Sequence, residues 1–219
     1  MSQIERTKSL TEQVTEKLEQ LIIEGGLDLG CKISEVKIAK QFQVSRTPVR
    51  EAINRLETEG LVTVVPQRGT FVFSLAPNEL AQLCDARTCL ETAALTSAIQ
   101  TNPDLLERDM EECTNAMTVA RDNHDDSEYL RLDSIFHQLM FDCSGNRFLN
   151  DAYQTISQKM SAIRNRLGRH PDHMLKSYRE HLNILTAVKD RNIDLALSTL
   201  RSHIDRKEGT YWSMETKDK

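Results

Sequence analysis

The sequence predicts a mainly α-helical protein with a small N-terminal domain and a larger all-helical C-terminal domain. Three observations support this prediction. Turn-forming residues are scarce, with 8 Gly and 5 Pro among 219 residues. Aromatic residues make up only 5% of the chain, which argues against an all-β protein. Apolar residues recur at helical spacing through most of the sequence, and short polar breaks separate the periodic stretches.

The composition excludes several classes of protein. At 39% hydrophobic and 28% charged residues, the chain is typical of a globular protein rather than a disordered or fibrous one. No apolar run approaches the ~20 residues that span a bilayer, and the N-terminus lacks the apolar core of a signal peptide. We therefore expect a cytoplasmic protein without membrane contact. The 5 cysteines have no C-x-x-C spacing, so neither a disulfide framework nor a zinc–thiolate site is expected.

The net charge of −5 is unevenly distributed. Residues 1–75 hold 10 Lys and Arg against 10 Asp and Glu, whereas the rest of the chain holds 18 against 23. Within residues 40–55, four cations are accompanied by Glu51 as the single acidic residue. Because the local field matters more than the total charge, an acidic protein with such a segment can still bind nucleic acid.

The first 75 residues show the order of a winged helix-turn-helix domain: three helices followed by a β-hairpin. Side chains that can accept a hydrogen bond from a free helix N–H precede each predicted helix. The predicted elements are a helix that begins at the capping box Ser9-Leu10-Thr11-Glu12, a second that follows Ser34, a third from Ser45 to about Glu59, and β-rich runs over 61–65 and 70–73.

The third helix has two different faces. Val49, Ile53 and Leu56 belong to its apolar stripe, whereas Arg46 and Arg50 project elsewhere near the N-terminal end. That end of a recognition helix meets base edges and phosphates, and the planar fork of Arg can bind either in bidentate fashion. The alternative is a solvated charged face on a small helical domain.

The same region resembles the DNA-binding domain of GntR-type bacterial transcription regulators. The resemblance rests on Val44-Ser45-Arg46-Thr47-Pro48-Val49-Arg50-Glu51-Ala52, on Arg55-Leu56-Glu57-x-Glu59-Gly60-Leu61-Val62 and on Arg68-Gly69-Thr70-Phe71-Val72. It implies that Arg46, Thr47 and Arg50 contact operator DNA, while the wing around Gly69 enters the neighbouring minor groove. The adjacent Ser45 and Arg68 complete the candidate DNA-binding set.

Residues 76–219 are predicted to form an all-α domain with six helices. Most of these helices carry one apolar stripe, as a helical bundle requires. The predicted ranges are 78–101, 103–122, 126–143, 147–168, 172–190 and 193–212.

Polar residues interrupt three of these apolar stripes. Asp133 and His137 lie four residues apart in the third bundle helix, so both point the same way. His181 interrupts the fifth stripe, and His203 lies beside the sixth. Each would be costly in a bundle interior unless it is paired or coordinated. Three nitrogens and one oxygen suit one divalent transition metal per chain, such as zinc, nickel, iron or manganese. A set of hydrogen-bonded core side chains is the alternative.

This part of the chain resembles the FCD ligand-binding domain of the FadR subfamily. The resemblance rests on Asp85-x-Arg87-x-x-Leu90-Glu91, Leu132-Asp133-x-x-Phe136-His137, Ser144-Gly145-Asn146, Glu180-His181-x-x-Ile184-Leu185 and the late His203. It implies a six-helix FCD-like bundle in which Asp133, His137, His181 and His203 bind a metal. Six helices rather than seven indicate the shorter, VanR-like branch.

Arg87 lies in the apolar stripe of the first bundle helix, where a guanidinium needs an anion. One candidate partner is Glu91, four residues along the same helix. The other is the carboxylate of an effector, because members of the family often respond to small organic acids. Arg164 and Arg166 are further candidates whose position the spacing does not determine.

The predicted function is that of a DNA-binding transcription regulator, a repressor, whose operator affinity is controlled by a small carboxylic acid at the metal site. It is predicted to act as a homodimer on double-stranded operator DNA. One alternative is a helical metalloenzyme acting on a small organic acid, although that interpretation leaves the N-terminal domain unexplained. Another is a structural, nucleoid-type protein with a stabilising metal.

Overall fold

A computed structural model describes residues 8–167 and 171–204 of the chain. The chain divides into two compact units, with the boundary between Ser74 and Leu75. The architecture is the predicted one: a mainly helical protein with a small sheet in its N-terminal part and helices alone in the described C-terminal part. No helix in the described ranges is long and apolar enough to cross a membrane.

The first unit has three helices and a small sheet. The elements are α1 (Leu10–Ile23), β1 (Lys32–Ile33), α2 (Glu35–Phe42), α3 (Arg46–Thr58), β2 (Val62–Val65) and β3 (Gly69–Val72). The predicted capping box is present, since the Ser9 hydroxyl accepts from the Glu12 amide and the Glu12 carboxylate accepts from the Ser9 amide. Ser45 occupies the N-cap position of α3, but its side chain makes no capping hydrogen bond. Ser45 is thus the N-cap residue as predicted, without the side-chain hydrogen bond that usually accompanies an N-cap serine.

The sheet is antiparallel, with the strand order β1–β3–β2. Strands β2 and β3 form the predicted hairpin, and β1 adds two residues opposite Thr70 and Phe71. The sequence did not predict β1, because two residues are too short to show a β period. At the hairpin turn Gly69 has φ +117°, and a Cβ there would lie 2.7 Å from Cε of Lys32. The backbone angle favours glycine, whereas the flexible end of the Lys32 side chain could move aside.

The second unit consists of helices in its described part. They are α4 (Pro77–Thr101), α5 (Pro103–Asp122), α6 (Asp126–Asp142), α7 (Arg147–Leu167), α8 (Pro171–Lys189) and α9 (Ile193–Ile204). Their bounds agree with the prediction to within one residue, except that the sixth helix was predicted to reach 212. Residues 205–212 lie outside the described residues, as does residue 168 at the predicted end of the fourth bundle helix.

Helix α4 runs through the middle of this unit and packs against α5, α6, α7 and α9. Helix α5 packs against α6 and α8, and α8 packs against α9. Phe136, Met140 and Leu200 have no solvent exposure, so the apolar stripes of α6 and α9 face the interior. The polar side chains within those stripes are thereby carried into the core.

Candidate functional site

Four side chains meet inside the second unit. Asp133 and His137 come from α6, His181 from α8 and His203 from α9, and each is at most 6% exposed. One ligand-capable atom from each residue lies within 4.8 Å of the others. The predicted grouping is therefore present, and metal binding by it stays a prediction.

The three imidazoles converge through the same ring atom. Nε2 of His137 lies 3.4 Å from Nε2 of His181 and 3.2 Å from Nε2 of His203. Around one ion with metal–nitrogen bonds of about 2.1 Å, ligand nitrogens are about 3.0–3.4 Å apart for bond angles between about 90° and 109°. The spacing of the imidazole nitrogens thus matches a shared ion.

Neighbouring groups establish where the imidazole protons lie. Nδ1 of His203 is 2.9 Å from Oε2 of Glu180, and a carboxylate only accepts, so Nδ1 carries the proton. Nη2 of Arg87 lies 2.8 Å from Nε2 of His137, and a guanidinium only donates, so this Nε2 is bare. An ion coordinated by His137 would take the lone pair to which Arg87 donates, so metal binding requires this guanidinium to move away from Nε2.

The protonation states of Asp133, His137 and His181 also suit a metal. Burial lowers the pKa of His181 to about 3, and burial together with the charge of Arg87 holds the pKa of His137 well below its ordinary value. Burial alone would raise the pKa of Asp133, but the Arg164 guanidinium and the nearby imidazoles outweigh it and hold that pKa below its usual range. Neutral imidazoles and an ionised carboxylate are the forms that coordinate metals.

Asp133 is held in place from two sides. Nη1 of Arg164 donates to its Oδ2 at 2.6 Å, and the Ser177 hydroxyl donates to its Oδ1 at 3.3 Å. Oδ1 also lies 3.6 Å from Nε2 of His181. The carboxylate thus lies beside the converging nitrogens with its charge balanced by a buried guanidinium.

Arg87 pairs with Glu91, one of the two partners that the sequence suggested. Its Nε lies 2.6 Å from Oε1 of Glu91, and both side chains are fully buried. Oε2 of Glu91 is in turn 2.9 Å from Nδ1 of His137. Arg87 therefore pairs with Glu91 and also borders the histidine cluster, which leaves its contact with an effector a prediction.

Sequence reasoning missed the carboxylates behind the histidines. Glu91 was considered only as a partner of Arg87, and Glu180 only as part of a motif. Their contacts with His137 and His203 join different helices, and no sequence period encodes such a contact. A possible signal is an acidic residue within a mostly apolar helix face, as at Glu91.

In the first unit, the candidate DNA-binding residues of α3 are exposed at its N-terminal end. Ser45 and Thr47 are exposed, and the side chains of Arg46 and Arg50 are 59% and 60% exposed. Glu35 at the start of α2 lies 3.2 Å from Arg46 and 3.0 Å from Arg50, so it holds both guanidiniums on one side of the helix. Sequence reasoning missed Glu35, because nothing in the spacing connects the two helices.

The wing supplies the other two candidates. Arg68 is exposed in the turn between β2 and β3, where its amide donates to the carbonyl of Val65 at 3.0 Å. Gly69 follows as the first residue of β3. The hairpin thus presents one cation at its tip, as a DNA-contacting wing would.

Residues 10–72 match the bacterial regulatory proteins of the gntR family, and residues 82–206 match the FCD domain. The chain is 33% identical to the Nta operon transcriptional regulator of Aminobacter aminovorans, over 81% of this chain and 82% of that protein. It is 24% identical to the HTH-type transcriptional repressor RspR of Escherichia coli, over 98% of each. Its fold resembles a crystal structure of a GntR-type regulator from Rhodococcus, with a TM-score of 0.78, 20% identity and coverage of 90% of this chain and 94% of that one.

Removal of Arg164 is expected to destabilise the second unit strongly, because it leaves the buried Asp133 carboxylate without its cation. We expect Arg164→Ala to lower the free energy of unfolding by ~3–5 kcal/mol in chelator-treated protein, measured by urea denaturation. Arg131→Ala is the matched control, since that guanidinium is exposed and pairs with Glu128 on the surface, and should cost less than ~1 kcal/mol. Equal effects of the two substitutions would contradict this assignment.

Proposed function

The chain belongs to the GntR family of bacterial transcription regulators, with an FCD domain behind its DNA-binding domain, and on this premise we propose that a small carboxylic acid bound at a metal centre controls its affinity for operator DNA. The convergence of three buried imidazole nitrogens beside an ionised carboxylate is the observation that carries this proposal.

A divalent transition metal is the group that best fits the cluster. Asp133, His137, His181 and His203 would hold it. Glu180 would orient His203 from behind through its hydrogen bond to Nδ1, whereas Glu91 lies 2.9 Å from Nδ1 of His137 without the geometry of a hydrogen bond. Once bound, such an ion supplies a positive charge with open coordination positions for an anionic ligand. Zinc, nickel, iron and manganese all accept this donor set.

The acid would bind between the metal and the Arg87 guanidinium. The Arg87 guanidinium lies within hydrogen-bond distance of a metal-ligand nitrogen, so one carboxylate could contact both cations. Glu91 competes for the same guanidinium, so acid binding would require Arg87 to share its donors or to turn. Such a ligand changes DNA affinity only through its difference in affinity for the two protein arrangements.

The DNA-binding unit would act as half of a homodimer, the arrangement that matches a two-fold symmetric operator. Arg46, Thr47 and Arg50 would contact bases and phosphates, with Ser45, Arg68 and Gly69 at the edges of the interface. In the absence of DNA, Glu35 holds both arginines, and phosphate oxygens would replace it on binding. We infer repression as the outcome, which is the role in the name of RspR.

The matched families and relatives are transcription regulators rather than enzymes. The alternative of a helical metalloenzyme is therefore set aside. Transcription regulation also gives the N-terminal unit a role, which the enzyme hypothesis lacked.

Substitution of the recognition-helix arginines is expected to weaken DNA binding without unfolding the protein. We expect Arg46→Ala and Arg50→Ala each to cost ~1–3 kcal/mol per half-site, because each removes a bidentate contact from an exposed position. Fluorescence anisotropy with the protein's own upstream DNA measures the effect. Arg55→Ala removes the same charge from the far end of α3 and serves as the control. Unchanged affinity in both test variants would refute the assignment of this helix.

Protein purified without chelator is expected to contain close to one divalent ion per chain. His137→Ala, His181→Ala and His203→Ala should each lose most of the ion, whereas His124→Ala, at an exposed position, should keep it. Chelation should lower the melting temperature of the parent, because an ion bound only to the native state stabilises that state. Elemental analysis without metal, together with no thermal shift on adding zinc, nickel or manganese, would contradict the proposal.

The effector response is expected to depend on the buried pair of α4. Replacement of Arg87 alone would leave Glu91 charged and unpaired, so the informative variant is Arg87→Gln with Glu91→Gln. We expect it to keep metal and operator binding but to lose the change of about 5–150-fold that an active acid causes in operator affinity. Thermal-shift screening of organic acids followed by operator titration tests this. A double variant that responds like the parent would rule out a role for Arg87.

A further inference from the structure

A cavity of about 250 Å³ lies between α6 and α7, outside the groups assigned so far. Ser134 and Arg131 line it from α6, and Tyr153, Ser161 and Arg164 line it from α7. It reaches the surface at Arg131, whose side chain is 59% exposed, and extends inward to Tyr153, which is 1% exposed. Its volume is small for a ligand pocket and suits a small molecule.

Two buried donors on the wall of this cavity make no hydrogen bond of good geometry among the described residues. They are the Tyr153 hydroxyl and Nε of Arg164, and these two side chains also interact with each other. Burial raises the pKa of Tyr153 to about 12, so its hydroxyl keeps the proton at neutral pH. Unsatisfied buried donors are costly, and an ionised carboxylate offers acceptors only. The cavity therefore has the chemistry to bind a carboxylate.

The charges around the cluster indicate how many acidic groups the ligand carries. The Arg87–Glu91 and Arg164–Asp133 pairs are each neutral, and Glu180 at the edge has Lys176 at 3.8 Å. Histidine ligands bind a metal in their neutral form. A divalent ion would thus add two positive charges that the buried side chains do not balance, and a ligand with two carboxylates would balance them.

The cavity also adjoins the proposed effector position. Tyr153 lies close enough to Arg87 and Glu91 to interact electrostatically with both. Arg164 connects the two places directly, because its Nη1 holds Asp133 while its Nε remains on the cavity wall. None of the metal-ligand residues lines the cavity, so a small molecule that spans both places would pass alongside the Arg164 guanidinium.

We propose that the acid that acts on this regulator is a small dicarboxylate, whose second carboxylate binds in the cavity between α6 and α7 against Tyr153 and Arg164. This inference rests on the proposed function, which assigns the first carboxylate to the metal and Arg87. It narrows the effector from carboxylic acids in general to those with two acidic groups a few carbon atoms apart.

The test compares two matched series of acids on the full-length, metal-loaded protein. Propionate, butyrate and valerate form one series, and malonate, succinate and glutarate, with the same numbers of carbon atoms, form the other. We expect at least one diacid to bind about tenfold or more tightly than the monoacid of equal length, by isothermal titration calorimetry. Tyr153→Phe should abolish that preference with little loss of stability, because the hydroxyl it removes makes no hydrogen bond of good geometry. Tyr129→Phe is the control, since that buried hydroxyl donates to the Met174 carbonyl instead.

The outcomes separate this inference from the proposed function. Equal affinity for the two series, or a diacid preference that survives in Tyr153→Phe, would overturn the dicarboxylate assignment while leaving an acid-responsive metal centre. Binding of neither series to the metal-loaded parent would overturn the proposed effector site and this inference together. Loss of the preference in Tyr129→Phe as well would show a general packing effect and would also refute the role of Tyr153.

Discussion

The convergence of three imidazole nitrogens in the interior of the helical unit is the constraint on which the rest of that unit depends. Three imidazoles whose Nε2 atoms lie 3.2–3.4 Å apart in the core cannot easily satisfy every ring nitrogen, and Nδ1 of His181 has no hydrogen-bond partner among the described residues. A shared cation would turn this unfavourable arrangement into a stabilising one that joins α6, α8 and α9. Stability of the fold and recognition of an anionic ligand would then depend on the same few atoms.

Buried ion pairs extend this polar layer through the bundle. Arg87 and Glu91 of α4 contact His137, and Arg164 of α7 pairs with Asp133. Because interiors are densely packed, such a layer favours discrete alternative arrangements over gradual deformation. Helix α4 also directly follows the boundary after Ser74, so a ligand that repositions Arg87 acts on the helix nearest the DNA-binding unit in the chain.

The features predicted from sequence are those determined by local apolar periodicity and by helix N-caps. The apolar stripes gave the helices, the Ser9 capping box gave the start of α1, and the i, i+4 step placed Asp133 and His137 together. The features that sequence reasoning missed depend on geometry that local sequence periods do not determine. The two-residue β1 has no period to detect, and the absent capping bond of Ser45 depends on local geometry. The carboxylates of Glu35, Glu91 and Glu180 contact partners on other helices. Sequence spacing does not determine the rotations of the helices that bring these groups together.

The X-ray absorption spectrum of the zinc-loaded protein at the zinc edge shows directly whether the three imidazoles share an ion. A shared ion gives nitrogen and oxygen neighbours at about 2.0–2.2 Å, with the outer-shell scattering of three imidazole rings. Sulfur neighbours at about 2.3 Å, or a spectrum without imidazole scattering, would contradict a centre built from Asp133, His137, His181 and His203.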